Sequence, residues 1–280
     1  MNKKLFILLP VHNRKVITEK FIKCLNNQTF KNYFLILIDD GSTDGTSEMV
    51  TQQIEYLVVI KGKGNWWWGG SLHQGYLWLF HKSNILLHDD IVLIINDDTE
   101  IENDFLENGV NLISHDSQNL LLAQCYCQET NEILDSGIHI DWEKFSFQKP
   151  KSLEEVNCLS TMGLFLKAKD FFEIGGFHPY LLPHFLSDYE FTTRAYRRGF
   201  KLITNPLLKL WVNKNTTWNK KFDNKNLLEY MKWSLSKRSP ENPIYMISFI
   251  ILASPKKYYL KHIYNVIKYY LKKLQHYNVL

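Results

Sequence analysis

Residues 35–46 read LILIDDGSTDGT, and this stretch decides the fold. A run of apolar residues, FLILI at 34–38, is followed at once by two acidic residues and a glycine. A short apolar run bounded by turn residues is typical of a strand that is buried on both faces of a parallel sheet. Ser42 or Thr43 can cap a helix that follows. The stretch therefore predicts one strand–helix step of an α/β fold.

Three other apolar runs have the same character. They are LFILL at 5–9, YLVVI at 56–60 and IVLII at 91–95. Stretches such as 16–25, with apolar residues at helical spacing, separate the runs. This alternation predicts βαβ units, in which ligands bind beyond the carboxyl ends of the strands. Polar or turn-forming residues follow three of the strands, at 10–14, 39–40 and 96–98, so we expect one site at that edge.

The polar residues after the fourth run favour a metal-bound diphosphate. The chain has neither G-x-G-x-x-G after its first strand nor a Walker A sequence, so a glycine-rich phosphate loop is not the nucleotide site. The hard oxygen ligands of Asn96, Asp97 and Asp98 can hold Mg²⁺ or Mn²⁺. Taken alone, the same three residues also form an ordinary turn.

The second half of the chain is less regular. STMGLFL at 160–166 predicts a strand in which Gly163 allows a close approach of the backbone. Residues 175–199 run from a loop into a helix that Ser187 or Asp188 begins and Gly199 ends. From the residues alone, Asp188 is as well explained by a helix cap as by catalysis.

These pieces together resemble family 2 glycosyltransferases with the GT-A fold, a Rossmann-like, mostly parallel sheet flanked by helices. The first matching pieces are LLPVHNR at 8–14, Gln28-Thr29, the opening stretch and INDD at 95–98. The resemblance continues with TMGLFLKAKDFFEIGGFHPYL at 161–181 and SDYEFTTRAYRRGF at 187–200, and it covers about residues 4–212.

The resemblance implies a role for each matching position. Asp188 would be the general base of an inverting displacement, and Asp98 would be the ligand of a divalent metal, Mn²⁺ or Mg²⁺. Asp97 would lie at the diphosphate, and Asp39 would contact the base or the ribose. The nucleoside pocket would be lined by the five residues that follow the first strand: Pro10, Val11, His12, Asn13 and Arg14.

The stretch GNWWWGGSLHQGY at 64–76 should begin on the donor edge as well. Its glycines would let the backbone bend close to a ligand, and Tyr76 to His81 should be helical. Of the three tryptophans, we expect one or two to pack beneath the donor site and another to line the sugar or acceptor pocket. The donor contacts that we predict here are Asn65, Trp68, Gly70 and His73, with simple packing as the alternative for His73.

Three positions depart from the family pattern. Ser187 stands where relatives commonly carry Glu, Asn96 stands where Asp is frequent, and Val212 stands where many relatives have a metal-binding histidine. The departures at 187 and 212 sustain an alternative function, a degenerate GT-A module that binds nucleotide or glycan without turnover. A nucleotidyltransferase is a weaker alternative, because the chain has no basic signature loop for a nucleoside triphosphate.

The C-terminal part differs from the rest in charge. Residues 242–280 contain six lysines and no acidic residue, so the remaining body is slightly acidic despite the net charge of +4, which argues against nucleic-acid binding. We predict a catalytic domain at 1–222 and a helical, basic amphipathic extension at 223–280. Its apolar face would rest on a membrane surface, or else pack on the catalytic domain or a second copy in a homodimer. The face comprises Leu260, Ile263, Tyr264, Ile267, Tyr270, Leu271 and Leu274.

The resulting expectation is an inverting glycosyltransferase of bacterial surface polysaccharide synthesis. Its donor would be a UDP-, dTDP- or GDP-linked sugar, and its acceptor a hydroxyl of a lipid-linked glycan. Four cysteines without the spacing of a zinc site are typical of reduced thiols in a cytosolic protein. We therefore expect a cytoplasmic protein at the inner face of the cell membrane.

Overall fold

The computed structural model describes residues 3–82, 86, 89–114, 118–213 and 226–278. The strands are β1 Leu5–Val11, β2 Tyr33–Asp39, β3 Leu57–Lys61, β4 Ile91–Ile94, β5 Thr99–Ile101, β6 Asn119–Cys127, β7 Ile133–Asp135, β8 His139–Asp141, β9 Ser146–Gln148, β10 Leu164–Lys167 and β11 Lys201–Val212. The α-helices are α1 Lys15–Asn26, α2 Thr46–Gln53, α3 Trp67–His81, α4 Phe105–Ser114, α5 Ala168–Ile174, α6 Ser187–Arg197, α7 Leu227–Ser234, α8 Pro243–Ala253 and α9 Tyr259–Asn278.

A twisted mixed sheet in the order β3-β2-β1-β4-β10-β6-β11-β5 forms the centre of the molecule. The first four strands along the chain are parallel neighbours, as the apolar runs predict. β10 then runs antiparallel between β4 and β6, so the second half of the sheet is mixed. The predicted α/β fold of the GT-A type is confirmed.

Apolar side chains cover both faces of this sheet. Along β1, Leu5, Ile7 and Leu9 point into one core, while Phe6 and Leu8 point into the other. Helices α1, α2 and α4 cover the first face, and α3, α5 and α6 cover the second. This double cover explains why the strands read as continuous apolar runs instead of alternating patterns.

Helix α3 begins well before the predicted start at Tyr76. It starts at Trp67, so Gly69 and Gly70 lie inside a helix, and the expectation that they bend the backbone is wrong. Gly64 alone of the three has a positive φ, 81°. The early start is stabilised by the buried carboxylate of Asp40, which accepts hydrogen bonds from the backbone N–H groups at 64–67. Because this cap comes from another strand end, local helix propensity does not reveal it.

Helices α7, α8 and α9 form the predicted C-terminal helical extension. α8 packs on α6, and its Phe249 stacks against Trp142, which follows β8. α9 packs on α8 and α7 through residues that include Tyr270, which contacts Tyr230. The predicted domain boundary at 222 lies outside the described residues. Within the described part of the chain, no helix is both long and apolar enough to cross a bilayer.

Candidate active site

A cavity of about 560 Å³ lies beyond the carboxyl ends of β1, β2 and β4. The loop after β1 forms one side, the start of α3 forms another, and the start of α6 closes the third. Seven of the predicted site residues belong to its wall: Pro10, Val11, His12, Arg14, Trp68, Asp98 and Asp188. The other six do not: Asn13, Asp39, Asn65, Gly70, His73 and Asp97.

Arg14 connects the two acidic residues that follow β4. Its guanidinium contacts the Asp97 carboxylate at 3.2 Å and the Asp98 carboxylate at 3.0 Å. Asp97 is the more deeply buried of the two, and it also accepts a hydrogen bond of 2.7 Å from the Thr18 hydroxyl. Burial raises the pKa of Asp97 to about 6, although the charge of Arg14 opposes the shift. Asp98 is the carboxylate of this pair that lines the cavity.

The two aspartates after β2 are held by backbone and hydroxyl donors. Asp39 accepts hydrogen bonds from the Ser42 N–H at 2.7 Å and from the Ser47 hydroxyl. Asp40 accepts four N–H groups between 2.8 and 3.1 Å at the start of α3, and it also lines the cavity. Sequence reasoning singled out Asp39 and missed the role of Asp40. No local signal could have revealed it, because the N–H groups that Asp40 accepts lie 24 to 27 residues later in the chain.

The loop after β1 is fastened to the loop after β2. Asn13 has a left-handed backbone, with φ at 50°, and its side-chain oxygen accepts the Thr43 N–H at 2.8 Å. The His12 ring donates from Nδ1 to the Asp40 carbonyl at 2.7 Å, which leaves Nε2 as an acceptor in the neutral ring. These contacts fix two walls of the cavity relative to each other.

Asp188 projects from the first turn of α6 into the cavity. Leu186, with φ at 65°, occupies the position before the helix, and no side chain caps it. Asp188 is therefore the second residue of α6 and not its N-cap, although its carboxylate accepts one N–H of the first turn. Burial raises the pKa of Asp188 to about 7, against the effect of the Tyr189 N–H, which donates to its carboxylate at 3.0 Å.

A second carboxylate lies near Asp188. Asp135, at the end of β7, accepts a hydrogen bond of 2.6 Å from the Ser160 hydroxyl, and Ser160 is a wall residue. The negative charge of Asp135 makes a smaller contribution to the raised pKa of Asp188. Sequence reasoning did not select either residue.

The three tryptophans have different environments. Trp66 packs with the core beneath α3. Trp67 lines the cavity and its ring lies 5.5 Å from that of His184. Trp68 also lines the cavity, and its indole N–H donates to the Thr161 hydroxyl at 3.2 Å. One ring thus packs beneath the site and two form its wall.

Two of the predicted donor contacts outside the cavity wall, His73 and Gly70, are packed against aromatic side chains. His73 stacks on Tyr76 with ring centres 5.9 Å apart, and burial lowers its pKa. A Cβ at Gly176 would come within 2.6 Å of the His73 ring, so these residues are tightly packed. Gly70 lies under the Trp66 side chain. The structure favours the packing alternative for His73.

The residues present fit a divalent cation that takes much of its coordination from ligand and water. Asp98 provides a carboxylate at the wall, and the buried side-chain oxygen of Asn96 has no hydrogen-bond partner among the described residues. Both are hard oxygen donors. Val212 is fully buried at the end of β11 and provides no ligand. Across the ranges that the structure describes, no three His, Cys, Asp or Glu side chains come together as a metal cluster.

Comparison with known proteins identifies the family of the chain. The profile of Glycosyl transferase family 2 matches residues 6–171, which include β1 to β4, β10 and the Asn96–Asp98 turn. The chain belongs to this family. Because the match covers more than half of the residues, the family assignment does not depend on a single motif.

Individual relatives are more distant. The chain is 45% identical over 47 residues to GalNAc(5)-diNAcBac-PP-undecaprenol beta-1,3-glucosyltransferase of Campylobacter jejuni, which is 17% of this chain and 15% of that protein. It is 23% identical over 206 residues to glycosyltransferase AglE of Haloferax volcanii, 70% of this chain and 62% of that protein. The chain thus matches less than two thirds of the length of either relative.

A solved structure with the same fold is the mannosyltransferase PcManGT of Pyrobaculum calidifontis in complex with GDP-Man and Mn²⁺. Its TM-score is 0.56 at 14% identity, with 96% of this chain and 70% of that chain covered. At this identity the likeness establishes the fold.

Proposed function

We propose that the chain is an inverting glycosyltransferase that moves a sugar from a nucleotide-sugar donor to a hydroxyl of a lipid-linked bacterial surface glycan. The observation that carries this proposal is that Asp98 and Asp188 line one cavity beyond the strand ends. Direct displacement at a sugar carbon needs a group that accepts the proton of the attacking hydroxyl and a group that stabilises the departing diphosphate.

Asp188 acts as the general base in this proposal. A sugar hydroxyl is a weak nucleophile, and a carboxylate within hydrogen-bond reach removes its proton as the new bond forms. The raised pKa of about 7 makes Asp188 a stronger base than an ordinary aspartate, while much of it remains ionised near neutral pH. The apolar wall residues Phe185 and Leu186 beside it would limit the access of water.

The donor would lie along the opposite wall. His12 and Arg14 follow β1, and Trp68 supplies a flat surface against which a sugar or a base can stack. Three further predicted donor contacts, Asn13, Asp39 and Asp97, form hydrogen bonds or ion pairs within the protein and would act by holding this wall in place.

Asp98 and Asn96 would hold the divalent metal. When bound, Mn²⁺ or Mg²⁺ would neutralise the charge that develops on the departing nucleoside diphosphate. The Mn²⁺ in the PcManGT complex supports a divalent metal in a protein of this fold. Because Arg14 already contacts Asp98, its guanidinium has to share that carboxylate with the metal or move away from it.

The acceptor proposal is supported by the relative in Campylobacter jejuni, whose name includes an undecaprenol diphosphate-linked glycan. It is supported also by an exposed apolar stripe on α9, formed by Leu260, Tyr264, Ile267 and Leu271. Exposed lysines flank the stripe, among them Lys268 and Lys272, and they would meet anionic lipid headgroups. Tyr270, predicted for the same face, packs against α7 instead. We propose that this stripe places the protein at the inner face of the cell membrane.

The test is the release of nucleoside diphosphate from UDP-, dTDP- and GDP-sugars, with and without Mn²⁺. Release that Asp98→Ala abolishes supports the enzyme, and Glu55→Gln, an exposed acid outside the cavity wall, is the matched control. With an acceptor extract, Asp188→Asn should still bind donor but should no longer transfer sugar.

The second candidate, a degenerate module, is favoured by Val212, which provides no metal ligand. It requires nucleotide binding in the wild-type protein without release or transfer for any donor. Any turnover that depends on Asp188 would rule it out.

A further inference from the structure

The segment 235–242 brings two cations from the C-terminal extension to the edge of the cavity. It connects α7 to α8, and its Pro240 is part of the cavity wall. The Arg238 guanidinium lies 5.5 Å from the centre of the Trp67 ring, itself a wall residue. The Lys237 ammonium donates to the Asn65 carbonyl at 3.4 Å, just before α3 begins.

The backbone of this segment is held in a defined turn. Ser239 and Asn242 are almost fully buried. The Asn242 amide donates to the Ser236 carbonyl at 3.1 Å and accepts the Ile244 N–H at 3.0 Å, which also caps α8. Lys237 and Arg238 are therefore carried at the cavity edge by a packed turn and not by a loose tail.

An anionic ligand in the cavity needs positive charge that the wall residues do not supply. The wall contains the carboxylates of Asp98 and Asp188. Arg14 is opposed by two carboxylates, so it offers little positive charge of its own to an anion. Neither Lys237 nor Arg238 forms an ion pair with a carboxylate in the part of the chain that the structure describes.

A third polar group lies beside them. His184 lines the cavity, and its ring Nδ1 is buried without a hydrogen-bond partner among the described residues. Burial and then the nearby charge of Arg238 lower its pKa to about 4. His184 is thus neutral near pH 7, and its ring can form a hydrogen bond with a ligand without adding charge to the site.

We propose that Lys237 and Arg238 bind a diphosphate at the edge of the cavity, so that the C-terminal extension is part of the ligand site. A guanidinium and an ammonium are the side chains that best neutralise phosphate, and the guanidinium can bind two oxygens at once. This inference rests on the proposed function. The diphosphate comes either from the nucleotide donor or from the lipid carrier of the acceptor, because both present the same group.

The experiment measures the affinity of the full chain for four probes by isothermal titration calorimetry. UDP and GDP represent the donor, UMP lacks the second phosphate, and farnesyl diphosphate represents the lipid carrier. The variants are Lys237→Gln, Arg238→Gln, their combination, and Arg238→Lys. Lys256→Gln, an exposed cation elsewhere on the extension, is the matched control. Unchanged melting temperatures would show that the variants are folded.

The double variant should bind one of the diphosphates at least about tenfold more weakly, since it loses the charge-assisted hydrogen bonds of both cations. UMP binding should change less, and Arg238→Lys should retain part of the affinity. Weaker UDP or GDP binding identifies the donor, whereas weaker farnesyl diphosphate binding alone identifies the carrier. Wild-type protein that binds no nucleoside diphosphate contradicts the proposed function. Wild-type binding that the double variant leaves unchanged for every diphosphate overturns this inference alone.

Discussion

Gly69 of α3 lies directly against Ser187, the first residue of the helix that carries Asp188. A Cβ at Gly69 would come within 2.9 Å of the Ser187 Cβ, and the Gly69 N–H donates to the Pro183 carbonyl at 2.8 Å. The tryptophan-rich stretch therefore does more than line the cavity. Its glycine sets the distance between the donor wall and the proposed base.

Gly69→Ala should reduce both stability and transfer. The added methyl group would clash with the Leu182 carbonyl oxygen as well as come within 2.9 Å of the Ser187 Cβ. Overpacking of this kind costs about 1–3 kcal/mol, which the higher helix propensity of alanine offsets by roughly 1 kcal/mol. Displacement of Asp188 should lower the transfer rate by about tenfold or more. Urea unfolding and initial rates measure the two effects. Gly70→Ala in the same helix is the control for stability. Its Cβ would come no closer than 3.2 Å to a neighbouring atom, in the Trp66 side chain, so its overpacking should be milder. Equal costs at the two positions would contradict the tight contact.

The same contact explains why serine stands at 187. Ser187 is 1% exposed and its hydroxyl donates to the His184 carbonyl at 2.8 Å, so a longer acidic side chain has neither space nor solvent. Ser187→Glu should therefore destabilise the fold by several kcal/mol, despite the resemblance to relatives with glutamate there. Ser187→Ala should cost roughly 1 kcal/mol by the loss of one hydrogen bond. A stable Ser187→Glu protein with increased transfer would show that the site accepts the acid.

Asp40 should contribute more to the free energy of unfolding than an exposed acidic residue does. Its carboxylate satisfies four backbone N–H groups at the start of α3. Asp40→Ala leaves these donors without a partner, and we expect a loss of roughly 3 kcal/mol or more in the free energy of unfolding. Urea denaturation measures the loss. The exposed Glu55→Gln should change little, and a similarly small effect at Asp40 would refute the capping role.

Transfer should rise with pH through about 7, since Asp188 acts only when it is ionised and its pKa is raised to about 7. The same shift has an opposite effect on stability. An acid whose folded pKa lies above its unfolded value binds more protons in the native state, so its ionisation costs stability as pH rises from about 4 to 7. Asp188→Asn should lose transfer and should gain stability relative to wild type at pH 8 compared with pH 5. A flat rate profile would argue against this base.

The first four strands could be predicted because apolar side chains pack on both of their faces. Residues 5–9, 34–38, 56–60 and 91–95 form continuous apolar runs, and each run overlaps a strand of the structure. The start of α3 could not be predicted locally, because its cap, Asp40, lies 24 to 27 residues earlier in the chain.

The site shows the same limit. Asp98 and Asp188 follow or begin regular elements, so the expected sheet edge brings them to one cavity. Thr161, His184 and Pro240 lie in loops that reach the cavity, and the course of these loops depends on tertiary packing. No local sequence pattern therefore predicts that they line the cavity. Residues such as Asp39 and His73 have polar side chains of the right type, but hydrogen bonds or ring contacts with the protein occupy them.

The stripe on α9 gives a prediction about membranes that separates apolar from electrostatic attraction. Leu260→Gln with Leu271→Gln removes two exposed leucines, 85% and 52% accessible, from one helix face. It should lower sedimentation with all vesicles, because each buried leucine contributes roughly 1.5–3 kcal/mol. Lys268→Gln with Lys272→Gln should lower sedimentation with anionic vesicles alone, and more so at low salt, because screening weakens attraction between exposed charges. Val16→Gln, an equally exposed apolar residue on α1, is the control. If both pairs sediment like the control, α9 does not bind the membrane.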